Sequence, residues 1–277
     1  MPELAEVEFF RKRWHYAAIG QSVTRVRAHG SKKTFRESSA ATIRRRLEGA
    51  RLQTSVAAAK QMVFRFDDDL WLGVHLGMTG ELTTTDLGSA QGKHDHLIID
   101  CETVSLVFTD PRMFGGVRFH VGREKPDWWA KIAPALLSSS FSKTALVDFL
   151  QRRARSPLKA VLLMQERFPG IGNWMADEIL WRAGIHPAQP SGSLTAAEQT
   201  KLYREIRTVC RNAMNAIAGR GEKLPHDLNA GIPDSWLFNH RWRDGGTCPK
   251  TKLPLERAEI GGRTTCWSPA RQTLRET

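Results

Sequence analysis

Hydrophobic residues repeat with two different periods along this chain, and the change between them limits the folds it can adopt. From Val23 to about Val121 they form short β-branched and aromatic runs broken by Gly, Asp or Thr: KQMVFRF, LWLGVHL, HLIID, VSLVF and VRFHV. Several short strands at such spacing are typical of a sandwich or barrel. From about residue 142 the spacing becomes helical. We therefore expect an all-β part followed by an α-helical part.

The two ends of the chain complete this pattern. Leu4, Val7 and Trp14 share one face of a predicted helix over residues 3–16. Four helices are predicted in the second part, with PGIG as a tight turn between the second and third: SKTALVDFLQRR, SPLKAVLLMQERF, NWMADEILWRAG and TAAEQTKLYREIRTVCRNAMNAI. Residues from about 236 onwards contain short strand-like pieces. The predicted fold class is α+β, with a β-sandwich domain at 1–130, a helical domain at 131–225 and a hairpin domain at 226–277.

Charge indicates the kind of partner. The chain has 41 Lys and Arg against 29 Asp and Glu, a net charge of +12, which favours a polyanion because neutralised phosphates release counterions. A membrane surface or an acidic protein remains open on this observation alone. No stretch reaches the roughly 18–20 apolar residues that span a bilayer. The opening MPELAEVEFFRKRW is unlike a secretory signal, and four widely spaced cysteines are typical of a reduced, cytosolic chain.

A proline directly after the initiator Met is the most informative single residue. Removal of Met1 exposes the secondary amine of Pro2, which can attack a sugar C1′ and form an iminium. An α-amino group titrates at about 7.7–8.0, so some of it is neutral near pH 7. Glu3 follows, a carboxyl suited to proton transfer. Both residues are also favoured at helix N-termini, and from these two positions alone that interpretation is the better one.

Five further segments, in order along the chain, change this balance. PELAEVE, AAAKQMVF, HLGMTG, DPRMFGG and SPLKAVLLMQERFPGIGNWMADEILWRAGIHP resemble segments of the formamidopyrimidine-DNA glycosylase/endonuclease VIII (Fpg/Nei) family. Ala5 stands where the family has a second proline, and Met113 where it has a second arginine. Each motif alone is weak, but five in register over nearly the whole chain are specific. The last segment resembles the family's helix–two-turns–helix domain.

The resemblance implies roles for residues of the β part. Pro2 is then the nucleophile, Glu3 the proton-transfer group, and Lys60 a catalytic residue beside Pro2 that contacts phosphate. Met78, Arg112 and Phe114 fill the space left by an everted nucleotide, which offsets part of the unstacking free energy. A solvated strand Lys and ordinary core positions are the alternatives for these residues. Gly next to Met78 and Phe114 argues against core.

Four more residues match family positions that contact the DNA backbone: His75, Lys159, Asn173 and Arg263. Asn173 follows the PGIG turn, where backbone N–H groups can approach a phosphate with no Cβ in the way. As a bare turn between helices it needs no ligand.

The C-terminal segment departs from the four-thiolate zinc finger of many family members. Alignment on Pro254 and Arg263 leaves only Cys248 of the four ligands, with Thr251, Ser268 and Arg271 at the other positions. The segment resembles the zinc-less finger of plant and fungal members, so no metal and no cofactor are expected.

The resulting expectation is a bifunctional DNA glycosylase/AP lyase of base excision repair, acting as a monomer on damaged double-stranded DNA. A short loop over 219–235 favours formamidopyrimidines and hydantoins over 8-oxoguanine. The expected location is the cytoplasm with the bacterial nucleoid, or the nucleus in a eukaryote. A DNA-damage-binding protein that has lost catalysis and a ribosomal or topoisomerase-like protein are the rivals. Joint presence of Pro2, Glu3 and Lys60 argues against the first, and the N-terminal motifs argue against the second.

Overall fold

The chain is described from a computed structural model over residues 2–29, 33–35 and 38–275. It divides into two compact units, Met1–Ile132 with Ala218–His226, and Ala133–Ile217 with Asp227–Thr277. The first is mainly β and the second mainly α, so the α+β class is confirmed. No helix in the part of the chain that the structure describes combines the length and apolar character needed to cross a bilayer.

The first unit is built on two antiparallel four-stranded sheets with strand orders β1-β6-β7-β5 and β2-β3-β4-β8. Its elements are α1 (Leu4–Ala18), β1 (Val23–Ala28), α2 (Ala40–Leu47), β2 (Leu52–Ala58), β3 (Gln61–Phe66), β4 (Leu70–His75), β5 (Glu81–Thr85), β6 (Asp95–Cys101), β7 (Ser105–Thr109), β8 (Gly116–Val121) and α3 (Asp127–Ala130). All five predicted hydrophobic runs are strands. Helix α2 lies inside the stretch that was predicted as β-like, because its apolar positions, Ile43 and Leu47, are one helical turn apart and both buried.

Helix α1 packs against β5, β2 and β3. Its apolar side chains, among them Phe9, Phe10 and Trp14, are almost fully buried, and the indole N–H of Trp14 donates to the Thr83 carbonyl at 2.9 Å. The predicted helix is therefore confirmed, and it holds the N-terminus of the chain on the sandwich.

The second unit contains the four predicted helices and a C-terminal hairpin. They are α4 (Lys143–Arg152), α5 (Leu158–Leu162), α6 (Asn173–Ala183), α7 (Ala196–Ile217), β9 (Glu256–Ile260) and β10 (Arg263–Trp267). Helix α5 is shorter than predicted, since residues 163–168 form successive turns. The Gln165 side chain satisfies part of that backbone by donating to the carbonyls of Leu163 at 2.9 Å and Ile171 at 2.8 Å.

Candidate active site

The N-terminus of α1 presents Pro2 and orders the residues behind it. Glu3 is the N-cap of the helix, and its backbone N–H donates to Oε2 of Glu6 at 3.1 Å in a capping box. Both carboxyl groups belong to buried residues, whereas Pro2 is half-buried. The bond between Glu3 and Glu6 satisfies a helix-end donor that would otherwise lack a partner. The segment that carries the predicted nucleophile is therefore fixed by the helix that follows it.

Lys60 lies in the tight turn between β2 and β3. Ala59 precedes it with a positive φ of 56°, and α1 packs along both strands of this hairpin. Arg11 of α1 ties the helix to β2 by donating from Nη1 to the Ser55 hydroxyl at 2.7 Å. Pro2, Glu3 and Lys60 thus belong to one helix–hairpin assembly in the first unit.

The three residues predicted to enter the DNA stack lie on two neighbouring turns. Met78 is 43% exposed and Phe114 is 50% exposed, and the guanidinium of Arg112 lies 4.9 Å from the Phe114 ring centroid. Exposed side chains of this size are not core residues, so the core alternative is wrong for Met78 and Phe114.

Asp110 holds these two turns together, and the sequence motifs did not single it out. Its buried carboxylate accepts the Thr79 hydroxyl at 2.7 Å, the Gly115 N–H at 2.7 Å and the Arg112 N–H at 3.3 Å. The turns approach so closely that a Cβ on Gly77 would lie 2.4 Å from the Gly115 nitrogen. Asp110 begins the DPRMFGG motif, and an Asp opening a turn before Pro is the signal that could have identified it.

His75 ends β4 beside the first of these turns. Its Nδ1 accepts the backbone N–H of Gly77 at 3.1 Å. Acceptance at Nδ1 places the proton of the neutral ring on Nε2. His75 therefore has a fixed ring orientation and a defined donor.

Asn173 is the first residue of α6, and its turn is organised by a side chain. The backbone N–H of Gly170, at a φ of 90°, donates to Oε1 of Gln165 at 3.1 Å. The Asn173 amide donates from Nδ2 to the carbonyl of Thr264 at 2.8 Å. One of its two N–H bonds is used in this contact, which joins the start of α6 to β10.

Arg263 is exposed at the start of β10, directly before Thr264. Gly261 and Gly262 form the preceding two-residue turn with φ values of 63° and 73°, as a tight hairpin requires. The structure therefore brings Asn173 and Arg263 together through the backbone of Thr264.

Lys159 does not lie where a contact with DNA requires it. Its side chain is fully buried, and Nζ donates to the Asp177 carboxylate and to the Asn173 carbonyl, the latter at 2.7 Å. Arg241 donates to Oδ2 of Asp177 from Nε at 3.0 Å and from Nη2 at 2.6 Å, and the Cys266 N–H donates to the same oxygen at 3.1 Å. A buried ammonium bound to these protein acceptors supports Asn173 from behind, and its burial argues against the predicted phosphate contact of Lys159.

Cys248 occupies the one surviving position of the finger's ligand set. Trp181 donates from Nε1 to its Sγ at 3.4 Å. Burial raises the pKa of this thiol, but the neighbouring Ser268 hydroxyl, Thr251 and the Trp181 indole N–H together outweigh burial and hold the pKa at about 6. Within residues 2–29, 33–35 and 38–275 no three His, Cys, Asp or Glu side chains form a group that could bind a metal. Hydroxyl groups at 251 and 268 do not fit a zinc site of thiolates.

Comparison with known proteins assigns the family. The formamidopyrimidine-DNA glycosylase N-terminal domain matches residues 1–117, and the H2TH domain of the same proteins matches residues 132–222. The formamidopyrimidine-DNA glycosylase of Thermus thermophilus is 34% identical over 98% of both chains, and that of Laribacter hongkongensis is 33% identical over 98% of this chain and all of the relative.

A crystal structure of Lactococcus lactis Fpg, in complex with DNA containing N7-benzyl-Fapy-dG, has the same fold. It superposes with a TM-score of 0.84 at 25% identity, covering 98% of this chain and all of the other. The two domain matches account for most of the sequence, and the relatives extend over nearly all of it. This chain therefore belongs to the formamidopyrimidine-DNA glycosylase family and has its enzyme class, DNA glycosylase and AP lyase of base excision repair.

Proposed function

We propose that the chain excises oxidised bases from double-stranded DNA through a covalent intermediate on Pro2 and then cleaves the strand. The neutral amine of Pro2 attacks C1′ of the damaged nucleotide, and the bond from C1′ to the base breaks as the base leaves. Glu3 exchanges protons with the sugar and the departing base. The observation that carries this assignment is the buried capping box of Glu3 and Glu6, since it holds a carboxyl directly beside the half-buried Pro2.

After the attacking nitrogen has lost its proton, protonation of the ring oxygen O4′ by Glu3 breaks the C1′–O4′ bond and gives an iminium, from which strand cleavage follows. The positive nitrogen at C1′ acidifies the proton on C2′, and loss of that proton expels the 3′ phosphate in β-elimination. A second proton loss expels the 5′ phosphate in δ-elimination, and hydrolysis frees Pro2. The ammonium of Lys60 stabilises the negative charge of these phosphates, in agreement with its place on the hairpin that packs against α1.

The damaged nucleotide must leave the duplex before Pro2 can reach it. Met78 and Arg112 fill the vacated space, and Phe114 stacks on the bases opposite. Their exposure and the shared anchor at Asp110 support this assignment. Asn173 and Arg263, in the second unit, bind the DNA backbone. His75, in the first unit, donates to a phosphate from Nε2.

The preferred lesions are proposed from the segment that follows α7. Lys12 fixes its beginning, because Nζ donates to the carbonyls of Ala218 and Gly219 at 3.0 Å and of Gly221 at 2.7 Å. These bonds hold the beginning of the segment against α1. We infer that the short 219–235 segment gives little cover to 8-oxoguanine, and that ring-opened formamidopyrimidines and non-planar hydantoins, which already distort the duplex, are removed faster.

The proposal also covers the domain division, the oligomeric state and the location of the protein. The division into a sandwich at 1–130, a helix–two-turns–helix domain at 131–225 and a zinc-less finger at 226–277 belongs to it, as do action as a monomer and location with the chromosome.

Borohydride trapping tests the proposal directly. On a duplex that carries a hydantoin, borohydride reduces the iminium and leaves the chain covalently bound to DNA. We expect Pro2→Gly to weaken trapping and Glu3→Gln to abolish base release, with both variants still binding the duplex. Glu8→Gln is the matched control, since Glu8 lies on the same helix and pairs with Arg11 instead. Undiminished trapping after an extra residue blocks the N-terminus would refute the role of Pro2.

Trapping on a preformed abasic site separates the two chemical steps. The Glu3→Gln variant should still be trapped there, because no base has to leave. Loss of trapping on both substrates would instead show that Glu3 is needed to form the iminium itself.

A further inference from the structure

A second concentration of positive charge lies outside the proposed site. Residues 25–46 contain eight Lys or Arg and one Asp or Glu, so this short stretch carries an excess of seven positive charges out of the net +12 of the chain. Four of these residues, Arg25, Arg44, Arg45 and Arg46, are described and exposed. We call them the β1-edge arginines.

The fold gathers them on one surface. Ile43 and Leu47 bury the inner side of α2, so the three arginines between them spread over its outer face. Helix α2 packs against β1, which carries Arg25. Glu48 fixes this contact by accepting the Val26 N–H on Oε1 at 3.0 Å.

The strand register places Asp100 opposite Arg25, but the Asp100 carboxylate is bound by Arg27 at 3.0 Å. None of the β1-edge arginines takes part in an ion pair within the described part of the chain, whereas Arg257 pairs with Asp244 at 2.7 Å. Glu48, the acid nearest in sequence, uses one oxygen on the backbone of β1. An excess of like charge on one part of the surface repels itself and opposes folding.

Stabilisation of the helix explains only part of the cluster. Cations favour the last turn of a helix because its carbonyl end is negative. One arginine suffices for that effect, and the second and third add mutual repulsion. Arg25 lies on a strand and has no such role. A cluster of exposed positive charge that opposes folding and is not required to stabilise the helix is typical of a ligand-binding surface.

We propose that the β1-edge arginines form a second phosphate-binding surface for duplex DNA, separate from the site of Pro2. The enzyme class of the chain supplies the polyanion, and guanidinium groups match phosphate geometry with two parallel hydrogen bonds. Strand β1 is one edge of its sheet, whereas α1 packs at the opposite edge, on β5. Three strand spacings, about 14 Å, separate the two edges. This surface contacts the backbone and reads no base.

The test measures how affinity for long, undamaged duplex depends on salt. The triple variant Arg44→Gln, Arg45→Gln, Arg46→Gln removes three charges and keeps helix propensity nearly constant. Each phosphate contact contributes about 0.9 to the slope of log K against log salt, so we expect the slope to shrink by about 2–3. The thermal midpoint should stay unchanged or rise, because repulsion is relieved.

The matched control is Arg123→Gln, Lys125→Gln, Lys131→Gln, three exposed cations of the same unit. It changes net charge equally but should shrink the slope by less than about 1, since its charges act only through a screened field. Equal slopes for the two variants, or no change in the first, would overturn the proposal. Single Arg45→Gln and Arg46→Gln variants, each expected to lower the slope by about 0.9, replace the triple variant if it fails to fold.

Undamaged duplex keeps this test independent of the proposed chemistry. Failure of the Pro2 mechanism would remove borohydride trapping and leave the salt slopes unaffected. If the β1-edge arginines do not bind DNA, trapping should stay intact and the two triple variants should show the same salt slope.

Discussion

Replacement of Asp177 by Asn should destabilise the second unit and weaken DNA binding together. Lys159 and Arg241 both bind the carboxylate of Asp177, and all three residues are buried. The substitution removes the negative charge that these two buried cations share. Breaking a buried ion pair from one side costs about 3–5 kcal/mol. For a unit of this size that corresponds to a fall in Tm of about 10–15 °C.

Denaturant unfolding and binding to a duplex with an abasic analogue are the two assays. Oδ2 of Asp177 accepts the Cys266 N–H at 3.1 Å, and Asn173 donates to the Thr264 carbonyl at 2.8 Å. These two bonds set the register of β10 on α6. Asp177→Asn should already disturb the contact that Asn173 makes. Adding Asn173→Ala to it should therefore lower the affinity for DNA little further, so that the two substitutions are not additive.

Two further variants separate positioning from stability. Replacing the whole cluster by Lys159→Met, Asp177→Leu and Arg241→Met should restore most of the free energy of unfolding, because buried ion clusters exchange well for apolar groups. The register bond to Cys266 stays lost, so binding should stay weak. Asp148→Asn, at an exposed site of the same unit, is the control. A change below about 1 kcal/mol for Asp177→Asn, or additive effects with Asn173→Ala, would refute the reasoning.

Three other predictions concern the DNA-filling residues and the finger. Changing the exposed trio to Ala should slow excision more than it slows cleavage at a preformed abasic site, because no stacked base has to be removed there; equal losses would contradict this. The trio is Met78, Arg112 and Phe114. Elemental analysis should find no stoichiometric zinc, and chelators should leave the thermal midpoint unchanged. The pKa of Cys248 falls from its usual 9.0 to about 6 on folding, so its stabilisation is complete above pH 9 and is lost as the pH falls through 6. Unfolding of Cys248→Ser across this range should lack that pH dependence.

The periods of the sequence were sufficient to predict the layout of both units, because burial of one face imposes the period directly. The predicted runs became strands, and the predicted helices formed. Helix α2 was missed since eight residues with two buried positions give little periodic signal. The early end of α5 was missed because it depends on where one side chain, Gln165, places its amide.

Motifs selected the candidate residues but did not indicate what each one contacts. Lys159 stood in a motif and was predicted to bind phosphate, yet it is buried against Asp177, 18 residues further along. Arg241 pairs with the same carboxylate from 64 residues away. Such a pair cannot be predicted from a single sequence, because it forms only when the helix and the C-terminal segment pack together. Exposure of a charged residue is therefore a tertiary property.

Each unit places a buried carboxylate behind the side chains proposed to contact DNA. Asp110 fastens the turns of Met78 and Phe114, and Asp177 fixes the start of α6 against the strand of Arg263. Exposed side chains on mobile turns would lose conformational entropy on binding, and that loss would weaken affinity. Each carboxylate accepts hydrogen bonds from the nearby backbone and orders it before DNA binds. The conformational entropy is then lost on folding and not on binding. The stability of each unit and its proposed contact with DNA would consequently depend on the same buried charge.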